Sequence, residues 1–309
     1  MNPVDAFPVL DDTFAEAFPL TAAKVIVTAD HPRLALSAAR AATGNASSII
    51  GCDAEAGIDC ELEPHLTPDG RPGFGLLFFG FSRPALEKAL VSRIGQSILT
   101  CPTTACYNGL PVDPDKALKV GAQLRFFGDG WQASKKIGNQ RFWRIPVMDG
   151  EFLVEESFGT TKGVAGGNLI LMCRDAAGGL DAAEACAEAM RGVPGVILPF
   201  PHGIVRAGSK VGSRYKGLKA STNTEYCPTL GSRVSTKLPP GTAVVYELVA
   251  DGLDLASLEE STRRGIKAAM DCRSVLKVSA GNYGGKLGPH HLHLRRIAGV
   301  DSVHGVARC

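Results

Sequence analysis

Charge of one sign is what this 309-residue chain has least of: 33 Lys and Arg stand against 31 Asp and Glu, for a formal net charge of +2. That balance gives no electrostatic footprint for nucleic acid, so the expected partners are small molecules or proteins. Long apolar runs are missing too. The longest, Gly73–Phe81, is far too short to cross a bilayer, and the N-terminal segment, with Asp5, Asp11 and Asp12, has no basic region ahead of an apolar one. We read a cytoplasmic protein without membrane contact. The nine cysteines form no C-x-x-C pair and read as reduced thiols, most of them core fillers. No H-E-x-x-H or Cys/His ligand set occurs. His290, His291 and His293 lie close together, but the alternation His291, Leu292, His293, Leu294 puts two of them on one exposed strand face, and no metal is expected.

What is present is the composition of a globular protein, with 45% hydrophobic and 21% charged residues and enough length for two lobes. Lys24–Thr28 reads as a β-branched strand, Pro32–Thr43 as a helix closed by Gly44, and Ser47–Cys52 as a second strand. A loop, Pro64–Pro72, precedes an apolar strand, Gly73–Phe81. The helix Pro84–Leu99 follows, with Leu86, Leu90, Ile94 and Ile98 on one face, and then a strand-like Thr100–Ala105. Two such units in succession predict an α+β fold of the split βαβ, ferredoxin-like kind, an antiparallel sheet with helices on one face.

The order then repeats. Thr13–Phe14 returns as Ser157–Phe158, and the same offset carries Val25–Thr28 onto Leu169–Met172. Helix Leu180–Met190 closed by Gly192, strand Gly195–Pro199, strand Ala243–Val249 and helix Leu255–Met270 behind the N-cap Asp254 complete the second copy. We expect two duplicated lobes, residues 1–150 and 151–309. A hairpin containing Phe142, Trp143 and Ile145 is expected before the junction.

Three stretches mix glycines with hydroxyls, amides and single cations. The first is Gly150–Asn168, with candidate binding residues Ser157, Phe158, Thr160 and Lys162. The second is Pro199–Ser213 with Ala220–Leu230, carrying Ser209, Lys210, Ser221 and Asn223. The third, Ser279–Leu294, leaves strand Val275–Val278 and carries Asn282, Tyr283, Gly284, Gly285 and Lys286. Its glycines free the backbone for positive φ and close approach to a ligand, although a plain turn between two strands would use them as well. It is not a Walker A loop, because Leu287 stands where a Ser or Thr should follow Lys286. Together the three stretches suit an elongated, polar, carboxylate-bearing ligand.

The motifs EAGIDC (Glu55–Cys60), TPDGRPG (Thr67–Gly73), FFGDGWQ (Phe126–Gln132), DGEFLVEESFGTTKGVAGGN (Asp149–Asn168), GSKVGS (Gly208–Ser213), ASTN (Ala220–Asn223) and SAGNYGGKLG (Ser279–Gly288) resemble formylmethanofuran-tetrahydromethanopterin formyltransferase. The resemblance runs from about Asp11 to Leu294 and is nearer to the bacterial form, the transferase subunit of a formyltransferase/hydrolase complex. It implies a duplicated two-lobe α+β subunit, a homo-oligomeric core in a complex with hydrolase subunits, and no prosthetic group. It also implies the reaction, reversible formyl transfer between a methanofuran-type carrier and N5 of tetrahydromethanopterin, both of them co-substrates, through a tetrahedral oxyanion. The acid proposed for the family matches Glu247 in the apolar strand Ala243–Val249, where desolvation would keep a carboxyl protonated. His202 stands where the family pattern has glycine, and Gly231–Pro240 and Ala298–Cys309 look like additions. A non-catalytic scaffold or carrier-binding subunit of a formyl hydrolase complex is the rival from another class, and a formyl hydrolase releasing formate ranks below both.

Overall fold

The structure is a computed structural model that describes residues 7–300; residues 301–309 of the additional tail lie outside the described residues. After a short β1 (Val9–Leu10), β2 spans Phe14–Thr28, three times the length of the strand expected at Lys24–Thr28. Alanines and Pro19 hide its first half, which has low strand propensity and is held by pairing partners. α1 (Pro32–Thr43) begins at His31, whose Nδ1 accepts the Arg33 N–H at 3.1 Å, and ends at Gly44. Its buried face is Ala35, Ala38, Ala39 and Ala42. Ser47–Cys52 is not a strand. It turns, and the strand lies further on at β3 (Glu55–Leu62), whose acidic residues mask it as an edge partner of β4 (Gly73–Gly80). β4 is buried at every position, and each fully buried Leu or Phe stabilises the fold by roughly 1.5–3 kcal/mol.

α2 (Arg83–Arg93) continues into a wider turn, Ile94–Ile98, which keeps Leu86, Leu90, Ile94 and Ile98 all fully buried. β5 is Ala105–Asn108, a few residues later than expected. Then come α3 (Val120–Leu124), the hairpin β6 (Ala133–Ile137) and β7 (Gln140–Val147), and β8 (Gly150–Glu155). β9 (Thr161–Cys173), α4 (Ala176–Arg191) and β10 (Val196–Ile197) follow, then the two-stranded β11 (Ser209–Val211) and β12 (Ala220–Thr222). β13 (Val244–Gly252) leads to α5 (Leu255–Met270), where Asp254 Oδ1 accepts the Ser257 N–H at 2.7 Å. β14 (Val275–Ser279), β15 (His290–His293) and α6 (Leu294–Ala298) close the chain.

Two compact units result, one made of residues 20–163 and the other of the residues on either side. In the first, the strand order is β3-β4-β2-β5-β8-β7-β6, with only β5 and β8 parallel. α1 and α2 cover it through a core that includes Val25, Val27, Leu76, Phe78, Leu90 and Phe158.

In the second unit the order is β10-β13-β9-β14-β1, antiparallel except at β1. The first residues of β2 pair with β15, Glu16 opposite His291. α4 and α5 pack through Ala183, Cys186, Ala187, Met190, Leu258 and Ile266 against Leu169, Leu171, Leu248 and Ala250. Side chains alternate along a strand, so Asn168 and Ile170 on β9, and Glu247 on β13, lie on the face away from those helices.

Candidate active site

Glu247 sits opposite Ile170 of β9 in register. On its other side it exchanges backbone hydrogen bonds with Val205, at 2.7 and 3.1 Å, so the segment after Pro199 is laid beside β13. Asn168 Nδ2 donates to Glu247 Oε1 at 2.7 Å. The other oxygen faces Gly208, where a Cβ would stand 3.0 Å from Oε2. Desolvation raises the pKa of this half-buried carboxyl, and the Asn168 hydrogen bond offsets only part of that. A carboxyl whose pKa is raised holds its proton to higher pH than an ordinary glutamate does, which is what general acid chemistry beside a polar cavity requires.

The glycine loop is tied to the same group. Asn168 Oδ1 accepts the Gly281 N–H at 2.9 Å, so one amide side chain touches both the carboxyl and the loop. Asn282 Nδ2 donates to Thr13 Oγ1 at 3.0 Å and to the Phe14 carbonyl at 3.1 Å. Gly284 and Gly285 have φ of +70° and +75°, the left-handed conformation that glycine adopts without strain. The loop thereby turns its N–H groups inward onto Glu16: Oε1 accepts from Tyr283 at 2.7 Å and Gly285 at 2.5 Å, and Oε2 from Leu287 at 2.7 Å. The Tyr283 hydroxyl donates to the Ser209 carbonyl at 3.3 Å, and Lys286 is exposed.

The second polar stretch forms the β11–β12 hairpin. Lys210 Nζ donates to Thr224 Oγ1 at 3.1 Å, Ser221 Oγ to the Gly212 carbonyl at 2.7 Å, and Asn223 N–H to the Gly208 carbonyl at 3.0 Å. A cavity of about 460 Å³ is lined by Asp11, Lys210, Asn223, Tyr226, Ser279 and Tyr283. A smaller one, about 60 Å³, is lined by Glu247 with Arg206, Gly208, Asn223 and Tyr226. Asn223 and Tyr226 belong to both.

The structure thus brings together Glu247, Ser209, Lys210, Ser221, Asn223, Asn282, Tyr283, Gly284 and Gly285 in one unit, with Lys286 on the same loop. Ser157, Phe158, Thr160 and Lys162 belong, by sequence position, to the other unit. There Ser157 Oγ accepts from Lys119 Nζ at 3.1 Å, and Phe158 is fully buried, its backbone paired in both directions with Leu118. A roomier cavity of about 670 Å³ in that unit, lined by Arg83, Glu87, Lys88, Asp115 and Lys116, holds none of the expected site residues. Size alone does not make a reaction centre, so the chemistry of Glu247 outweighs volume here.

Asn168 and Glu16 escaped sequence reasoning. Each interrupts its strand locally, Glu16 between Ala15 and Ala17 and Asn168 just before the apolar run Leu169–Met172, and that interruption was the available signal. Of the neighbouring histidines, His293 is exposed as expected, whereas His291 is half-buried and stacked on Phe14 with centroids 4.6 Å apart. Among the described residues no cluster of three His, Cys, Asp or Glu side chains suits a metal ion.

Comparison with known proteins agrees along the chain. Residues 6–147 match the family model described as formylmethanofuran-tetrahydromethanopterin formyltransferase, and residues 150–297 match that of its proximal lobe. A formylmethanofuran-tetrahydromethanopterin formyltransferase of Methylococcus capsulatus is 51% identical over 93% of this chain and 97% of its own length. The crystal structure of the formyltransferase/hydrolase complex from Methylorubrum extorquens with methylofuran contains a chain that superposes with a TM-score of 0.90 at 50% identity, covering 93% of this chain and 96% of that one. The Methanosarcina barkeri enzyme gives 0.88 at 44% identity, over 94% and 98%.

Proposed function

The chain belongs to the formylmethanofuran-tetrahydromethanopterin formyltransferase family, and from that premise we propose that it transfers a formyl group reversibly between a methanofuran-type carrier and N5 of tetrahydromethanopterin. Attack of the pterin nitrogen on the formyl carbon creates a tetrahedral oxyanion, and its collapse expels the carrier amine, which must gain a proton as it leaves. Glu247 supplies that proton in our reading and recovers one from the attacking nitrogen. The observation that carries this role is its environment: a half-buried carboxyl with raised pKa, one oxygen held and the other turned to Gly208. Ser209, Lys210, Ser221, Asn223 and the loop Asn282–Lys286 would bind the two co-substrates, with no prosthetic group needed. Ser157, Thr160 and Lys162 remain proposed binding residues as well.

We read the fold as two duplicated ferredoxin-like lobes, residues 1–150 and 151–309. Support comes from the separate family matches that meet between 147 and 150, and from the matching strand orders β3-β4-β2-β5 and β10-β13-β9-β14. The Methylorubrum relative belongs to a formyltransferase/hydrolase complex, which supports a hetero-oligomeric assembly for this chain, built in our reading around a homo-oligomeric core. The free cysteines of the described residues support a reducing, cytoplasmic setting.

The test is Glu247→Gln in an assay of formyl-tetrahydromethanopterin formation. Gln keeps the shape and removes the proton, so turnover should fall roughly 10²–10⁴-fold with folding unchanged. Turnover like that of the unaltered enzyme would remove Glu247 from the mechanism, and formate release without transfer would favour a hydrolase.

A further inference from the structure

We infer that Asn168 is a positioning residue that divides the labour of the two Glu247 oxygens, holding Oε1 so that the transferable proton resides on Oε2, and that it links this choice to the glycine loop. The inference rests on the proposed role of Glu247. Its geometry is that of a single side chain with both ends committed. Nδ2 donates to Glu247 Oε1 at 2.7 Å, and Oδ1 accepts the Gly281 N–H at 2.9 Å. The second contact settles which end of the amide is which, because only an oxygen can accept from a backbone N–H. Nδ2 is therefore a donor at Oε1, and an oxygen that accepts a close hydrogen bond is the poorer place for a proton. Oε2 faces Gly208, a residue lining the small cavity, where the lack of a Cβ leaves room beside it.

A turned carboxyl would aim its proton at β9 instead of the cavity. The same Asn168 also meets the loop closely, since a Cβ on Gly281 would stand 2.9 Å from Nδ2. Movement of the loop backbone at Gly281 is thus transmitted to the carboxyl through a hydrogen-bonded chain of two contacts. The other titratable or charged groups facing Glu247 are Tyr283 from the loop, and Arg206, Tyr226 and Cys227 lining the cavity.

The test is the pH profile of kcat for the full chain in its assembled form, with formylmethanofuran and tetrahydromethanopterin as substrates. A general acid loses activity on the alkaline side as it ionises. The Asn168 hydrogen bond favours the ionised form, so removing it in Asn168→Ala should move the alkaline limb upward by about one pH unit. Below that limb kcat should still fall about 10–100-fold, because the acid is no longer aimed. Asn168→Asp keeps the shape and the acceptor for Gly281, but replaces the donor with a second carboxylate. Its limb should move further upward, and it remains a test should Asn168→Ala fail to fold. A reduced kcat with an unmoved limb in both variants would make Asn168 a merely structural residue and overturn the inference. If Glu247→Gln were fully active, the role of Glu247 would fall and the inference with it; an inactive Glu247→Gln beside an unmoved limb would sink the inference alone.

Discussion

Tyr283 donates its backbone N–H to the Glu16 carboxylate at 2.7 Å, across 267 positions of sequence. Glu16 is only 3% exposed, and burial by itself would raise its pKa. The N–H groups of Tyr283, Leu287, Gly285 and Gly288 outweigh that and hold the carboxyl below its ordinary value. It is the template on which the glycine loop is wound.

A group whose pKa is depressed in the folded protein contributes stability above its unfolded pKa and loses it as pH falls through the folded value. The loop should therefore loosen below about pH 4, near the ordinary value for a glutamate. In Glu16→Gln one end of the side chain becomes a donor facing a backbone donor. We expect a loss of about 1–3 kcal/mol at neutral pH. Acid titration of the variant should lack the step that wild type shows. Equal stability of the two proteins at pH 7 in urea would contradict the anchoring.

Gly284 and Gly285 share a left-handed backbone but not the space around it. A Cβ on Gly284 meets nothing within 4 Å, while one on Gly285 would stand 3.0 Å from His291 Cε1. Asn tolerates positive φ better than other side chains, so Gly284→Asn should be nearly silent in thermal unfolding. Gly285→Asn should lower Tm and raise KM for the carrier, because His291 or the loop must move. Equal effects of the two substitutions would contradict this difference in packing.

Local signals made much of the fold legible. Asp254 marked the start of α5 and Gly44 the end of α1, because caps are chosen by the nearest few backbone groups. Leu86, Leu90, Ile94 and Ile98 declared one buried face by spacing alone. β3 was harder. Its acids, Glu55, Asp59 and Glu61, left a sheet edge without a strand signal, while the apolar pair Ile49–Ile50 drew the strand to residues that turn. Two of the three polar glycine-rich stretches, Pro199–Ser213 with Ala220–Leu230 and Ser279–Leu294, lie in the unit that holds Glu247, and Glu247 itself was readable only through the family resemblance. Asn168 takes its meaning from groups 79 and 113 positions away and Glu16 from groups 267 or more away, which no periodicity records.

Phe158 illustrates the difference between a residue within a site motif and one that reaches a ligand. Its ring is fully buried with Leu118, Ile145 and Val154 in the core around it. Phe158→Ala should cost about 3–5 kcal/mol in urea unfolding. Ser157→Ala, which removes only the acceptor for Lys119, should cost well under 1 kcal/mol. Stability of Phe158→Ala within experimental error of wild type would show that the core does not depend on this ring.

Lys286 separates charge from shape in the loop. It follows the two left-handed glycines and is exposed, so its ammonium is free to meet a carboxylate carried by a bound substrate. Lys286→Ala leaves the backbone path and the Glu16 anchor intact, because neither uses the side chain. An exposed ion pair is worth only about 0.2–1 kcal/mol, which corresponds to a rise in KM of roughly 1.5- to 5-fold with kcat unchanged. Screening supplies the signature. Raising ionic strength from about 0.01 M to 1 M shortens the screening length from about 30 Å to 3 Å, so the wild-type KM should climb toward that of the variant while the variant's barely moves. A KM ratio that stays constant across that salt range would mean that Lys286 acts through loop shape and not through its charge.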